Sequence, residues 1–390
     1  MGLVPFPVLL ITFAQALGMM TAPMVIFVGG FLGYAFAPSS TMATLPVASL
    51  VVGSALASMP AALIMKRIGR RKGFVYATLI ALLGSILAIY SIRSENFWGL
   101  CFSIILLGVH MAFVAQFRFA ALEWVRPERA ATTASFVMVG GLLAAWLGPE
   151  LAIMGQNLLS FQFSGSFVLL AISHGLLLVL LSLMPFADVQ STAHSESRRP
   201  LFDIITNPGI AAAITCAAVA YGVMSLIMTA TPVSMSELQD YPLAETKTVI
   251  QSHIMAMFLP SLFTPFILRH VSTMSMLMVG LAALIIAVSI ALLDQSYWGY
   301  WSALVFLGLG WNLLFSGGTA LLAQSYEPQD SFRVQAINEF CVFGIQAIMS
   351  LSAGWLVFSY GWHVLNLFSI PLLMFALLML FRWHRSKIGS

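Results

Sequence analysis

The stretch that decides the fold is residues 1–65, MGLVPFPVLLITFAQALGMMTAPMVIFVGGFLGYAFAPSSTMATLPVASLVVGSALASMPAALIM, which no Lys, Arg, Asp or Glu interrupts before Lys66. A membrane-spanning helix needs about 20 apolar residues, so this stretch has room for two of them. It is too long for the apolar core of a cleavable signal peptide, about 7–15 residues, and no basic residue precedes it. The chain therefore begins with two transmembrane helices.

The composition of the whole chain agrees with this beginning. Of its 390 residues, 60% are hydrophobic and 8% are charged, whereas a soluble domain is about 45–50% apolar and about 25% charged. This excludes a soluble enzyme and a nucleic-acid binder, and three cysteines are too few for a disulfide framework. Because the sequence has no glycine-rich phosphate loop for ATP, any transport by this chain would be secondary, and we expect neither a cofactor nor enzyme activity.

Cutting the apolar runs at charged, Pro-rich or Gly-rich breaks predicts an all-α membrane protein with twelve transmembrane helices. The predicted spans 1 to 12 are 5–32, 41–65, 73–92, 97–118, 131–156, 163–185, 208–233, 248–268, 273–293, 297–323, 334–358 and 363–381. The longest hydrophilic stretch separates six spans from the other six. We therefore predict two six-helix halves, residues 1–186 and 207–390, joined by a cytoplasmic linker over 187–206.

The positive charges predict the orientation. Of the 17 Lys and Arg residues, all but Arg93 and Lys247 fall in loops or tails that are cytoplasmic if both termini face inward. Cytoplasmic loops carry an excess of Lys and Arg. We therefore expect both termini on the cytoplasmic side.

The two halves look like repeats of each other. Residues 129–136 (RAATTASF) and 333–340 (RVQAINEF) open spans 5 and 11, and the same spacing relates Met20 to Met224 and Met24 to Met228. Six-plus-six parallel repeats around a central cavity characterise the major facilitator superfamily. The segment Arg67-Ile-Gly-Arg-Arg71 after span 2 also resembles that family's loop 2–3 signature, with Lys66 where an Asp is expected. The resemblance implies the fold of that family and transport by alternating access.

Spans 7 and 8 carry residues that suit a soft metal ion. Met224 and Met228 lie four apart on span 7, as do His253 and Met257 on span 8, so each pair shares a helical face. At 1.5 Å per residue the two pairs reach a similar depth in the outer half of the cavity. Thioethers and a neutral imidazole favour Cu(I), and a histidine within a membrane span is costly and usually functional. These four residues are the predicted metal ligands.

The paired motifs Met-x-x-x-Met and His-x-x-x-Met resemble the signature of the CcoA-type copper importers, a bacterial branch of the superfamily. The resemblance implies import of copper, as Cu(I), across the bacterial inner membrane in support of cbb3-type cytochrome oxidase biogenesis. We expect a monomer in the lipid bilayer, with protons and a copper chaperone as further candidate partners and no nucleic acid.

Other polar and sulfur-containing residues are weaker candidates for the metal site. Met20 and Met24 qualify by pseudo-symmetry, Cys216 lies two turns inward of Met224, and His110 lies mid-membrane in span 4. A structural role is expected for His174. Two carboxylates are also expected near the membrane surfaces: Glu150 solvated at the outer end of span 5, and Glu339 paired with Arg333 or relaying protons in span 11.

Three alternatives stay open. The cargo could be an organic solute such as riboflavin, which some relatives close to the copper branch are thought to carry, because Trp311, Asn312 and the cavity aromatics suit a flat ring. A proton-coupled exporter is suggested by Gly148-Pro149, which resembles the Gly-Pro of the antiporter motif. A non-transporting sensor or assembly factor is disfavoured by the lack of a long soluble segment.

Overall fold

The structure, a computed structural model, describes residues 5–122, 124–125, 130–184, 186, 200–263, 266, 270–327 and 330–388. These residues are almost wholly helical and include no strand, which confirms the predicted all-α fold. The helices are α1 Phe6–Met19, α2 Thr21–Phe36, α3 Leu45–Ile68, α4 Arg70–Arg93, α5 Phe97–Val114, α6 Phe117–Leu122, α7 Ala130–Gly155, α8 Ser164–Leu183, α9 Leu201–Ile205, α10 Pro208–Val233, α11 Leu243–Phe258, α12 Thr273–Leu293, α13 Tyr297–Ser325, α14 Ser331–Leu367 and α15 Ser369–Ile388.

The described helices fit the predicted spans. Ten helical stretches of the described residues are long and apolar enough to cross a membrane, and one of them, Arg333–Lys387, is 55 residues long. A positive φ of 82° at Gly361 interrupts this stretch, so it supplies spans 11 and 12. Helix α11 and the 3-10 turn Leu259–Leu262 form span 8, whose predicted end lies partly outside the described residues. Most of the predicted linker, 187–199, also lies outside them.

Span 1 is divided into two helices, α1 and α2, which the sequence analysis did not predict. The cause is Pro23, which has no N–H to donate to the carbonyl of Met19, so the hydrogen-bond ladder is interrupted there. The equivalent position in span 7 is Ile227, and α10 continues without a break from Pro208 to Val233.

The quoted segment after span 2 forms the turn between α3 and α4. Gly69 at its centre has a φ of 86°, a left-handed conformation that glycine adopts without the steric cost of a side chain. Arg71 then donates a hydrogen bond to the carbonyl of Ser182 near the end of α8. Gly69 therefore allows the turn between α3 and α4, and Arg71 connects this turn to span 6 by a hydrogen bond.

Small residues allow close helix crossings in both halves. Where α3 crosses α5, a Cβ added to Gly108 would lie 3.0 Å from the Cα of Gly53. Where α11 crosses α13, a Cβ on Gly308 would lie 3.1 Å from the backbone nitrogen of Met257. Close approach of the backbones increases van der Waals contact between membrane helices, whose association in lipid is not driven by the hydrophobic effect.

The two sets of helices, α1–α8 (the N-terminal half) and α10–α15 (the C-terminal half), meet at their outer ends. We call outer the side opposite the predicted cytoplasmic termini. A Cβ on Gly30 of α2 would lie 3.0 Å from the side chain of Val233. The ring of Tyr34 stacks on Phe358 of α14 at a centroid distance of 6.0 Å. Contacts of this kind close the outer side of the molecule.

An ion pair reinforces this closure. The Lys247 ammonium of α11 lies 2.8 Å from a carboxylate oxygen of Glu150 on α7. The amide of Gln251, one turn further along α11, donates hydrogen bonds to the same carboxylate at 3.2 Å and to the carbonyl of Trp146 at 2.9 Å. Glu150 is therefore held by two partners from the opposite half, in addition to any solvation at the interface.

Candidate functional site

Five aromatic residues of the C-terminal half form a cluster in the middle of the molecule, which we call the aromatic cluster. Its members come from four helices and are Tyr221 (α10), Phe258 (α11), Trp311 and Phe315 (α13), and Phe343 (α14). The Tyr221 ring lies 5.1 Å from Trp311 and 5.2 Å from Phe315, centroid to centroid. Such distances are typical of favourable aromatic pairs.

The geometry of the cluster follows from helical spacing. Trp311 and Phe315 are four residues apart on α13, so they share one face, and their rings stack at 5.4 Å with an interplanar angle of 17°. Phe258 meets Trp311 on one side at 6.4 Å. On its other side Phe258 approaches Gly141 of α7, where an added Cβ would lie 3.1 Å from the ring. The cluster thus reaches the boundary between the halves.

A polar atom within this cluster has no partner. The indole nitrogen Nε1 of Trp311 is buried and makes no hydrogen bond with any described residue, although Trp311 is only 6% exposed. Buried tryptophan N–H groups usually find an acceptor, and buried polar groups without a partner are rare. The site therefore offers a flat apolar surface with a hydrogen-bond donor at its edge, which suits a planar molecule that carries an acceptor.

Arg118 of α6 and Glu339 of α14 are half-buried and carry opposite charges, one in each half. The guanidinium of Arg118 lies 4.7 Å from the ring centroid of Phe119, and its Nε is buried and makes no hydrogen bond with a described residue.

His253, a predicted metal ligand, is fully buried between α11 and α13. Its Nδ1 lies 2.7 Å from the carbonyl of Leu304 and therefore donates to it, since the carbonyl can only accept. The other nitrogen, Nε2, is then the basic one, and it has no hydrogen-bond partner among the described residues. This is the arrangement in which an imidazole can bind a proton or a metal ion.

The methionines predicted to join His253 are also buried. Met24, Met224, Met228 and Met257 belong to one continuous apolar cluster, which also contains Cys216. Within the described residues, no group of three or more His, Cys, Asp or Glu side chains is placed to hold a metal ion. A metal at His253 would thus depend on thioether ligands.

The two remaining candidates lie in the N-terminal half. Met20 packs against Ser173 of α8, with 3.9 Å between sulfur and hydroxyl. The ring of His110 packs against His174 at a centroid distance of 5.1 Å. A backbone group of Ala77 lies nearby, but neither His110 nitrogen makes a hydrogen bond with a described residue. Met20 and His110 therefore make these contacts within the N-terminal half.

His174 fills the structural role that the sequence analysis expected. Its Nε2 lies 3.0 Å from the hydroxyl of Thr21, and its Nδ1 lies 3.1 Å from the hydroxyl of Ser85. Both ring nitrogens are thereby satisfied, and α8 is joined to α2 and α4.

The sequence analysis named Trp311 as part of an aromatic cavity but not its neighbours Tyr221, Phe258 and Phe315. The spacing of Trp311 and Phe315 on span 10 was the available signal. The sequence analysis also counted Arg118 only among the positive charges on the cytoplasmic side, because this residue lies at the predicted end of span 4.

Comparison with known proteins shows the family of the chain. The sequence matches the family model described as Major Facilitator Superfamily over residues 8–331. It is 31% identical over 373 residues to the riboflavin transporter RfnT of Brucella anthropi, covering 95% of this chain and 94% of that protein. It is 29% identical to YddS of Bacillus subtilis, an uncharacterized MFS-type transporter, covering 90% of this chain and 86% of the relative.

Solved structures show the same fold. A bacterial homologue of the human lysosomal transporter Spinster, inward-facing and occupied, has a TM-score of 0.71 at 13% identity and covers 97% of this chain and 96% of its own. A bacterial homologue of the iron transporter ferroportin, in an outward-facing state, has a TM-score of 0.68 at 15% identity, covering 98% of this chain and 100% of its own. The chain belongs to the major facilitator superfamily of membrane transporters.

Proposed function

We propose that the protein carries riboflavin inward across the bacterial inner membrane by alternating access. The observation that supports this cargo is the aromatic cluster with the unpartnered Trp311 N–H at its edge. Riboflavin has a flat fused ring with carbonyl acceptors on one edge, which matches a stacking surface that ends in a donor. The likeness to a riboflavin transporter over nearly the whole chain supports the same cargo.

The proposed mechanism uses the two halves as rocking bodies. In the present arrangement the outer ends are closed by Gly30 against Val233 and by the Glu150–Lys247 ion pair. Opening of these contacts would admit riboflavin from outside to the aromatic cluster. Their closure would commit it to the cytoplasmic side. Because riboflavin is neutral, the membrane potential does not drive it directly, so uptake follows its gradient or a coupled ion.

Riboflavin uptake by intact cells tests the proposal. Cells that cannot make riboflavin and lack their own importer are given the wild-type chain, Trp311→Leu or the control Trp298→Leu. Trp298 is 67% exposed at the outer end of α13, so its loss leaves the aromatic cluster intact. Stacking on an aromatic side chain is worth about 1–3 kcal/mol, so Trp311→Leu should reduce riboflavin uptake roughly tenfold or more at limiting concentration.

The outcomes are separable. Growth and uptake with wild type and Trp298→Leu, but not with Trp311→Leu, support the proposal. If wild-type cells take up no more riboflavin than cells without the chain, riboflavin is not the cargo. If Trp311→Leu transports as well as wild type, the aromatic cluster is not its binding site.

Copper import is a second candidate, and one observation favours it. His253 donates Nδ1–H to a backbone carbonyl and leaves Nε2 free, which is how metal-binding histidines are commonly oriented. Met224, Met228 and Met257 would complete a soft site for Cu(I). The structure and the relatives give this cargo no further support, so we rank it below riboflavin.

Copper accumulation in the same cells tests the second candidate. Wild type, His253→Ala and Met224→Ala are compared for cell-associated copper. Lower copper in both variants than in wild type would support a copper site at His253. Copper levels that are equal in all three strains and in cells without the chain would remove copper as a cargo.

A further inference from the structure

The outer ends of the N-terminal half enclose a cavity of about 220 Å³ that has no part in the proposed transport cycle, and we call it the outer cavity. Its walls are the last turns of α2, the turn between α4 and α5, and the loop between α7 and α8. Four of its lining residues are phenylalanines: Phe31 and Phe36 of α2, and Phe161 and Phe163 of the loop. The rings of Phe31 and Phe163 stack at 6.0 Å with an interplanar angle of 12°, so two walls are joined by an aromatic contact.

The polar part of the lining consists of hydrogen-bond acceptors. Glu95 in the turn, with Ser160 and Gln162 in the loop, contributes a carboxylate, a hydroxyl and an amide. A carboxylate only accepts hydrogen bonds, and a hydroxyl or an amide oxygen accepts them as well. No described Lys or Arg lines the cavity, so the charge of Glu95 is not balanced within the lining. The outer cavity therefore combines one negative charge and three acceptors with aromatic rings.

The backbone of both segments is held in an uncommon conformation at this cavity. Among the described residues, three other than glycine have a positive φ, and two of them line the outer cavity: Glu95 at 50° and Phe163 at 63°. This conformation is uncommon for a residue with a side chain, because most of it is sterically forbidden. Residues held in this way cluster at ligand sites. The fold thus positions the carboxylate and one stacked ring at a steric cost.

This lining suits an organic ammonium ion. Cations bind favourably over the faces of aromatic rings, and a primary ammonium has three N–H donors, which equals the number of acceptors in the lining. A calcium ion is a poor match, because it takes about six to eight oxygen ligands and the cavity offers a single carboxylate. Riboflavin is too large, because drug-sized molecules occupy pockets of about 300–1,000 Å³.

The surroundings of the outer cavity indicate that the ammonium belongs to a lipid. Leu158, Leu159 and Phe161 are exposed on the loop between α7 and α8, and Trp98 is exposed three residues after Glu95. Tryptophan is enriched at the membrane–water interface, and exposed leucine and phenylalanine side chains at that level bury themselves among lipids. A soluble amine gains nothing from this apolar rim, whereas a lipid places its acyl chains along it.

We propose that the outer cavity binds the primary ammonium head group of an outer-leaflet lipid, with Glu95 as its counter-ion and the phenylalanine rings around it. The site does not depend on the cargo, since no member of the aromatic cluster lines it. It bears on the transport cycle through α2. Phe31 lines the cavity, and a Cβ on the preceding Gly30 would lie 3.0 Å from Val233 at the outer contact between the halves. A bound head group therefore contacts the helix that closes the outer side.

The binding of three lipids with identical acyl chains tests this site. Phosphatidylethanolamine carries a primary ammonium, phosphatidylcholine carries a quaternary one without N–H donors, and phosphatidylglycerol carries none. Purified full-length protein in detergent is titrated with each lipid, and the fraction with bound lipid is measured by native mass spectrometry. The variants are Glu95→Gln and Phe161→Leu. Their matched controls are Glu245→Gln on α11 and Phe102→Leu on α5, which lie outside the lining of the cavity.

The wild type should bind phosphatidylethanolamine roughly tenfold more tightly than the other two lipids, because hydrogen bonds to a charged group carry about that much affinity. Glu95→Gln should weaken phosphatidylethanolamine binding about tenfold, to the level of phosphatidylglycerol. Phe161→Leu should weaken both ammonium lipids about threefold, because it removes a ring that faces the cation. Both controls should bind as the wild type does, and millimolar ethanolamine should leave the bound lipid in place.

Several results would overturn the assignment. Equal affinity of the wild type for all three lipids would reduce the site to general contact with the bilayer. Unchanged binding of phosphatidylethanolamine by Glu95→Gln, or an equal loss in Glu245→Gln, would remove Glu95 as the counter-ion. Displacement of the lipid by millimolar ethanolamine would assign the cavity to a soluble amine. If thermal unfolding shows that Glu95→Gln does not fold, equal affinities of Phe161→Leu and Phe102→Leu for phosphatidylethanolamine would overturn the proposal in its place.

Discussion

The crossing of α3 with α5 and the crossing of α11 with α13 occupy equivalent places in the two halves, by the spacing that relates Met20 to Met224. In the N-terminal half Gly53 lies directly on Gly108, backbone against backbone. At the equivalent positions of the C-terminal half are Met257 and Asn312, where the amide nitrogen of Asn312 donates to the Met257 carbonyl at 2.6 Å. The same crossing is bare backbone in one half and a polar contact between larger residues in the other.

The neighbouring positions also carry larger side chains in the C-terminal half than in the N-terminal half. Ser54 and Leu107 of the N-terminal half correspond to Phe258 and Trp311, two members of the aromatic cluster. The crossing is thus packed backbone against backbone in one half, and in the other it carries two rings of the aromatic cluster. Because the rings of the aromatic cluster belong to the C-terminal half, we expect loss of a ring there to change riboflavin binding, and filling of the N-terminal crossing to change folding.

The largest effect is expected where the N-terminal crossing is filled. Gly108→Val would place a branched side chain against the Leu50 carbonyl and the Gly53 backbone, and overpacking of this kind costs about 1–3 kcal/mol or more. We expect little folded protein by gel filtration and a clearly lower Tm. Gly175→Ala is the control, since an added Cβ there meets nothing within 4 Å. Similar losses of folded protein for both variants would contradict the packing role.

A second substitution gives the C-terminal half the residue found in the N-terminal half. Tyr221→Leu introduces the side chain of the equivalent position, Leu17, and removes the ring that touches Trp311. Loss of aromatic contact at the ligand surface should weaken riboflavin binding by about tenfold. Binding is measured by quenching of flavin fluorescence, with Tyr90→Leu, 69% exposed on α4, as the control. Equal affinities in the two variants would show that the ring of Tyr221 does not hold the flavin.

The polar contact at the C-terminal crossing predicts a stability difference between the halves. Asn312→Leu removes both bonds of the side-chain amide, to Met257 and to Ser261, and buried partners left unpaired cost about 1–3 kcal/mol. Ser54→Ala removes a single bond, to the Gly108 carbonyl, and should cost about 0.5–1.5 kcal/mol. Thermal unfolding in detergent compares the two. If Ser54→Ala lowers the Tm as much as Asn312→Leu does, the expected stability difference between the two crossings is wrong.

The smallest effect is expected at the outer contact between the halves. The side chains of Lys247 and Glu150 are 19% and 29% exposed, and a pair of this kind is worth about 1 kcal/mol or less. Lys247→Gln should therefore shift the equilibrium toward an open outer side by no more than about fivefold. Thr44→Cys, buried against Gly354 at this closure, reports the shift as faster labelling by an impermeant maleimide. Lys66→Gln is the control, and equal labelling rates in both backgrounds would show that the pair does not hold the outer side closed.

Much of the fold could be predicted because its causes are local. Long apolar runs, the charge asymmetry and Gly361 at the boundary of spans 11 and 12 are all visible in the sequence. Span 8 was predicted to begin at 248 because Lys247 ended the apolar run, yet α11 begins at Leu243. The charge is accommodated within the helix because Glu150 of the other half lies opposite it, and such a partner cannot be read from hydropathy.

The site was harder to predict for the same reason. Methionine and histidine spacing on spans 7 and 8 was visible, and it led to a copper site at His253. The contacts that join Tyr221 and Phe258 to Trp311 connect residues far apart in sequence and depend on how three helices pack. Single residues on separate helices leave no periodic signal, so the sequence indicated Trp311 as part of a surface for a flat ring but not its neighbours Tyr221 and Phe258.

Uptake into proteoliposomes that contain only the purified chain tests the central claim most directly. Riboflavin and Cu(I) are offered side by side to wild type, Trp311→Leu and His253→Ala. The account predicts that riboflavin enters with wild type and that Trp311→Leu reduces the initial rate roughly tenfold or more at limiting substrate. Entry of copper without entry of riboflavin, abolished by His253→Ala and unaffected by Trp311→Leu, would contradict it.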